Sequence, residues 1–318
     1  MFRRPFTPPL TDVAKLVPAA LVLPRLKILY FPVTKAACTT LKWALAEAEG
    51  SLSHEAADAL PTAAVTRTHT IHNIKVSGFR LFRELSLSEQ QHVLHAEDWW
   101  RVGAFRNPYA RMYSSWENRI LLRAPSQEIP TFADFDDVLV DGCIDIVATF
   151  ERFVHTITDK PHLVHFDDHF RSQAEQIRPG EFPHTHLLQV DKPGELDNFI
   201  AQVNERAGTN VSLQRLNEGL HISYTKVVTS AIAPLIEKWG YLDFALFPYP
   251  TETFPDAQPS IVLTPNETKM IMYAREVTER LSIAAAEVRH RIGARYGLSE
   301  ILRRTRQWRD GDYHSSRP

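Results

Sequence analysis

From Lys27 onward, short apolar runs alternate with segments of helical period, the pattern of an α/β domain built on a mostly parallel sheet. Lys27 to Phe31 (KILYF) reads as a first strand, and Leu41, Ala44, Leu45 and Ala48 then fall at helical spacing ahead of Gly50, which can end the helix. Trp100 to Phe105 repeats the arrangement. Arg106 to Pro108 form its loop, and Tyr109, Met112, Tyr113 and Trp116 share one face of the helix after it, with Pro108 suited to the first turn. A third unit runs from Leu187 to Val190 through DKPG into a helix with Leu196, Phe199, Ile200 and Val203 on its apolar stripe and Gly208 beyond its end. At least four strands are expected. A further helix around Lys226 to Trp239 leads into the aromatic segment YLDFALFPYP, which closes the compact part. Thr251 to Ser260, rich in Pro and polar residues, reads as a linker. Thr264 then caps a long charged helix expected to reach about Arg295, with Pro265 at its first position and a basic tail after it. The expected organisation is thus an N-terminal extension over 1–26, one domain over 27–250, and a linker with a helical extension over 251–318.

Charge narrows the classes of partner. Across 318 residues, 36 Lys and Arg nearly balance 38 Asp and Glu, so no overall field recruits nucleic acid or an anionic membrane, and any anion site must be local. The two cysteines, Cys38 and Cys143, cannot build a multi-bridge framework and fit a reducing, cytoplasmic setting. The apolar run from Leu16 to Leu23 contains Pro18 and is too short to span a bilayer, so no integral membrane segment is expected.

Two loops carry candidate chemistry. Between the first strand and its helix lies Pro32-Val33-Thr34-Lys35-Ala36-Ala37-Cys38-Thr39-Thr40. It combines small residues where a backbone can approach a ligand, a cation, and hydroxyls at the helix start, the ingredients of a phosphate or sulfate cradle. The glycines of a Walker A loop are absent, and a plain strand-to-helix turn with a surface lysine is the competing reading. In the second loop, Arg106 stands at the carboxyl end of a strand, where open α/β sheets bind ligands, and Ser114 offers a hydroxyl two helical turns on. Arg111 either contacts a ligand or braces the helix. The fourteen histidines include the pairs His69 with His72, His165 with His169, and His184 with His186. No HExxH or Cys-rich spacing accompanies them, so no metal is expected.

The two loops resemble those of the PAPS-dependent carbohydrate sulfotransferases (sulfotransferase family 2, chondroitin 4-sulfotransferase-like), as a soluble, bacterial-type member. PVTKAACTTLKWAL is similar to their 5′-phosphosulfate loop, P-K-x-A-C-T-x-x-K, and AFRNPYARMYSSW to their 3′-phosphate motif, R-D-P-x-x-R-x-x-S. Thr34 and Asn107 depart from the usual proline and aspartate. Asp168-His169-Phe170-Arg171-Ser172-Gln173 resembles D-x-H-W-x-P-Q, THLLQVDKPGEL the strand and turn after it, and Arg215-x-Asn217-Glu218 with YLDFALFPY the family's end. The resemblance implies a nucleotide-kinase-like (P-loop-type) α/β sandwich. It also implies 3′-phosphoadenosine 5′-phosphosulfate (PAPS) as donor, without metal, and a carbohydrate, glycolipid or natural-product hydroxyl as acceptor. Residue by residue, it assigns Lys35 to the transferring sulfuryl group, the backbone of Ala36, Ala37 and Cys38 with Thr39 and Thr40 to the 5′-phosphate, and Arg106 and Ser114 to the 3′-phosphate. Lys42 matches a second family lysine and can equally be a solvated helix residue. The related enzymes carry a catalytic histidine on a strand end between the two loops, where this chain has TRTHTIHN. Strand alternation favours His72 over His69 as general base, with His169 as rival. A nucleotide-binding module without transfer activity is the alternative from another class, and an ATP-dependent kinase is a weaker one. The C-terminal helix reads as a lid, a surface for oligomerisation or a solvated appendage.

Overall fold

The computed structural model describes residues 16–59, 67–123, 132, 134–165, 167–214 and 219–280. Its strands are β1 (Leu21–Leu23), β2 (Ile28–Phe31), β3 (Arg80–Leu81), β4 (Trp100–Phe105), β5 (Leu139–Val140), β6 (Cys143–Ile144) and β7 (His186–Gln189). The main helices are α1 (Cys38–Glu49), α2 (His54–Ala59), α3 (Ile74–Ser77), α4 (Leu87–His95), α5 (Pro108–Trp116), α6 (Ile146–Asp159), α7 (Gln173–Ile177), α8 (Glu195–Ala207), α9 (Ala233–Trp239) and α10 (Tyr241–Leu246). The principal sheet has the order β3-β1-β2-β4-β7. β2, β4 and β7 are parallel, whereas β1 runs antiparallel to both its neighbours. The sheet is therefore mixed, and it takes in Leu21–Leu23, which lie within the expected N-terminal extension over 1–26.

Alternation along the strands sends side chains to two cores. Ile28, Tyr30, Val102, Ala104 and Leu188 meet the apolar stripes of α1 (Leu41, Ala44, Leu45, Ala48) and α8 (Phe199, Ile200, Val203) on one face. Leu29 and Phe31 face the other way, against Phe82, Leu85, Val93 and Leu94. Two further clusters flank the sheet. The larger gathers α5, α6 and α9 around the fully buried Trp116 and Phe150. The smaller, at the carboxyl ends of β2 and β4, packs Val33, Ala36 and Phe105 against Phe247 and Tyr249, with the rings of Phe105 and Phe247 stacked 4.4 Å apart. The aromatic segment after α10 thus seals the sheet directly beneath the two candidate loops.

Residues 251–260 have almost no regular structure, yet they are not a free linker. Phe254 is buried, Gln258 donates to the carbonyls of Thr225 and Val228, and Ser260 donates to Asp145. Pro and polar residues set the backbone shape here, but apolar Phe254 and the side-chain donors tie the segment down, which composition alone did not reveal. Residues 265–280 are helical, begin in a capping interaction between Thr264 and Glu267, and pack through Ile271 and Arg275. Arg275 is held by both carboxylate oxygens of Asp137 and by the carbonyl of Leu121. The remainder of the expected helix to Arg295, the basic tail, and Arg215, Asn217 and Glu218 lie outside the described residues.

Candidate active site

The parallel pairing of β2 with β4 brings the ends of the two strands side by side, so the loops that leave them share one edge of the sheet. In the first loop, Lys35 (φ 62°) and Ala37 (φ 57°) adopt left-handed backbone conformations on either side of Ala36. Such alternation builds the backbone nests that bind anions, and left-handed conformations in non-glycine residues are strained, a feature that collects at functional sites. Ala37 also occupies the N-cap of α1, where no side chain caps the helix. The helix therefore begins with its N–H groups unshielded by a capping oxygen. Burial pushes the Lys35 ammonium down to about 8, with Arg106 and Arg119 adding to the shift and Cys38 and Glu117 opposing it. A desolvated cation in this position gains from any anion that enters.

Arg111 braces the loop. Its guanidinium donates to the Thr34 carbonyl (3.0 Å), the Thr34 hydroxyl (3.3 Å) and the Asp168 carbonyl (3.1 Å), while the Thr34 hydroxyl donates to Asp168 O at 2.8 Å. The lysine loop is thereby locked to the segment that carries His169.

His169 sits in a hydrogen-bonded array. Its backbone N–H and its ring Nδ1 both face Asp167 Oδ1, at 2.9 and 2.5 Å, and Asp167 Oδ2 accepts from Arg119 at 2.7 Å. Burial alone would raise the Asp167 carboxyl, but the bonds from His169 and the charge of Arg119 outweigh it and hold the group well below the usual carboxylate range. An ionised carboxylate can only accept, so Nδ1 carries the proton and Nε2 keeps its lone pair. Ser115 donates to the His169 carbonyl at 2.7 Å, which adds a second anchor. Burial leaves the His169 imidazole below its ordinary value of 6.5, with Asp167 acting in the opposite direction.

The TRTHTIHN segment differs from expectation. Arg67–His72 form a 3₁₀ helix rather than a strand end, so the alternation used to choose between His69 and His72 does not apply. The physical reason lies in Asn73, whose side chain caps α3 and starts a helix immediately after His72. His72 is engaged at both ring nitrogens: Nε2 lies 3.2 Å from the Thr39 hydroxyl and Nδ1 lies 3.1 Å from Lys42 Nζ. An ammonium can only donate, which makes Nδ1 the acceptor and Nε2–H the donor to Thr39. Desolvation, then the neighbouring Lys42 charge, pushes the His72 imidazole down to about 3. The rings of His69 and His72 stack 6.2 Å apart.

Arg106 has its backbone clamped by the buried Gln173, which accepts from its N–H and donates to its carbonyl, both at 2.8 Å. The guanidinium Nε lies 3.4 Å from Asp191. Ser114 is half-buried on α5. The Thr40 hydroxyl donates to Gln214 O at 3.2 Å. Electrostatically, Lys35, Arg106, Arg119, Glu117, His69 and His169 belong together, because Lys35 feels both arginines and Glu117, and both histidines feel Lys35.

Several members of this group escaped the sequence reading. Asp167 was legible, since it stands two residues ahead of His169 in the same D-x-H spacing as the motif. Glu117 and Arg119 were not, because they sit in a π-helical turn, Glu117–Leu121, that continues α5 and breaks its period. Glu117 accepts the Leu220 N–H at 2.8 Å, and burial raises its carboxyl. Among the described residues, no group of three or more His, Cys, Asp or Glu side chains is assembled to hold a metal, and no helix is long and apolar enough to cross a membrane.

Fold and site together define an α/β protein with cationic side chains gathered at one edge of its sheet and a carboxylate-oriented histidine in the same electrostatic group. The model of the sulfotransferase family matches residues 18–250, most of the chain, and the protein belongs to that family. It is accordingly an enzyme, a sulfotransferase, and the reading as a binding module without transfer activity is set aside. Neither a curated protein nor a solved structure matches the chain.

Proposed function

We infer that the enzyme moves a sulfuryl group from PAPS to a hydroxyl of a carbohydrate or a similar acceptor in the cytoplasm, using His169 as general base. The observation that carries this reading is the Asp167–His169 hydrogen bond, which leaves Nε2 able to accept a proton, next to a desolvated Lys35. The two buried, unbridged cysteines agree with a reducing compartment. The same reading assigns the sheet to the nucleotide-kinase-like fold.

The donor would supply an activated sulfuryl group on a phosphate leaving group. His169 Nε2 takes the proton of the acceptor hydroxyl as its oxygen bonds to sulfur, and Asp167 stabilises the imidazolium that results. Lys35 faces the oxygens on which charge gathers as the sulfur–oxygen bond to the leaving phosphate breaks. The left-handed loop and the open start of α1 receive the 5′-phosphate, and Thr39, oriented by His72, adds a hydroxyl. Arg106 and Ser114 take the 3′-phosphate. His72 then serves the donor side, in place of the base role that strand alternation had favoured.

Transfer of labelled sulfate from PAPS to a metabolite extract tests the reading directly. The product nucleotide adenosine 3′,5′-bisphosphate should raise the melting temperature, because a ligand bound only by the native state stabilises it, and ATP should do much less. Equal stabilisation by ATP would overturn the 3′-phosphate assignment.

A further inference from the structure

Asn107 does two jobs that one carboxylate could not. Its Oδ1 caps α5, accepting from the N–H groups of Tyr109 (2.9 Å) and Ala110 (3.2 Å). Its Nδ2 donates to Glu252 Oε1 at 2.7 Å and to the Tyr224 hydroxyl at 3.3 Å. Tyr224 in turn donates to Glu252 at 3.0 and 3.2 Å, and the Glu252 N–H reaches the Tyr109 hydroxyl at 3.3 Å. The Asn107 N–H donates to Asp191, the carboxylate that also receives Arg106 and Tyr249. Arg106 is therefore flanked by a residue whose every polar group is committed, and one of those commitments reaches outside the family-matched span of residues 18–250.

We propose that Glu252 is a positioning residue of the donor site, setting the Arg106 loop through its hydrogen bond with the Asn107 amide. The segment that follows the family-matched domain is then a working part of nucleotide recognition. The inference rests on the reading of Arg106 as a 3′-phosphate ligand. Asparagine and aspartate cap helices about equally well, so Asn107→Asp preserves the cap while setting a carboxylate against Glu252. Glu252→Gln retains an acceptor for Asn107 and Tyr224 when made alone, and supplies an amide donor when residue 107 is an acid.

The experiment is a double-mutant cycle read by titration with adenosine 3′,5′-bisphosphate and, in parallel, with ADP, which lacks the 3′-phosphate. Contacting residues in one network couple strongly enough that Asn107→Asp is expected to weaken binding of the bisphosphate by roughly 10-fold. Glu252→Gln should change it by less than about 3-fold, and the double variant should return to within about 3-fold of wild type, with the bond reversed. ADP affinity should stay unchanged throughout, a selectivity that a merely structural defect would not give. Should Asn107→Asp fail to fold, Glu252→Ala, which leaves the Asn107 amide without its carboxylate, is expected to show the same selective loss. Absence of rescue in the double variant, or equal loss for both nucleotides, overturns the inference. Arg106→Ala separates the two levels. If it leaves bisphosphate affinity intact, the 3′-phosphate reading falls and the inference falls with it; if it weakens binding while the 107 and 252 variants do not, only the inference falls.

Discussion

His169 and His72 lie in one electrostatic neighbourhood, yet their partners give them opposite characters. His169 leans on a carboxylate, Asp167, that is itself fixed by Arg119. His72 leans on a cation, Lys42, and on the hydroxyl of Thr39. A carboxylate behind one ring nitrogen makes the other a better proton acceptor, whereas a cation there removes the lone pair and disfavours protonation. A histidine's role is thus decided by what stands behind it, a residue that can lie far away in the chain.

The strongest way to break this contrast is His169→Ala. It is expected to lower kcat by roughly 10²- to 10⁴-fold while leaving bisphosphate affinity near wild type. A silent His169→Ala with a crippled His72→Ala would reverse the assignment. Asp167→Asn sharpens the same point, although it also breaks a buried ion pair with Arg119 at a cost of about 3–5 kcal/mol, so its melting temperature must be measured alongside the rate.

Next in size is Lys35→Ala, expected to reduce kcat by roughly 10²- to 10³-fold, more than it reduces nucleotide binding. The pH profile of kcat/KM gives an independent check. The acid limb should lie below pH 6.5, where the His169 imidazole takes up its own proton, and the alkaline limb should begin near pH 8 as Lys35 loses its charge. Lys35→Arg, which stays protonated, should abolish that alkaline limb even if activity is low. The lowered value has a stability consequence as well. Between about 8 and 10.5 the unfolded chain retains a proton on Lys35 that the folded protein has released, so the Lys35 contribution to stability rises with pH across that window.

A smaller effect is expected from Arg106→Ala, a loss of roughly 10- to 100-fold in bisphosphate affinity with kcat at saturating donor little changed. The smallest belongs to His72→Gln. Its amide can still bridge Lys42 and Thr39, and kcat should fall by less than about 10-fold, against the far larger loss for a general base. A drop comparable to that of His169→Ala would sink the division of labour between the two histidines.

Local pattern accounts for much of what was foreseen. The helix after Lys35 ends at Gly50 (φ 73°), α5 starts at Asn107 with Pro108 in its first turn, and the strand at 186–189 falls where the apolar run placed it. Each depends on contacts within a few residues, such as a cap, a turn or an apolar stripe, and these are written in consecutive positions. The strand expected around His72 failed on the same scale, because the Asn73 cap competes with extended structure. Membership of the sulfotransferase family was likewise legible, since the two loops carry their residues in short, ordered motifs.

The chain order of residues therefore settled the βα units, the lysine and arginine loops and the family, all of them features whose causes are local. That Lys42 stands behind His72, that Arg119 fixes Asp167, that Arg111 braces Thr34, and that Glu252 reaches Asn107 across 145 positions were set by folding. Hydrogen bonds and charges act over a few ångströms in space regardless of sequence separation, so partners brought together by the sheet and its flanking helices leave no spacing in the chain from which they could be read.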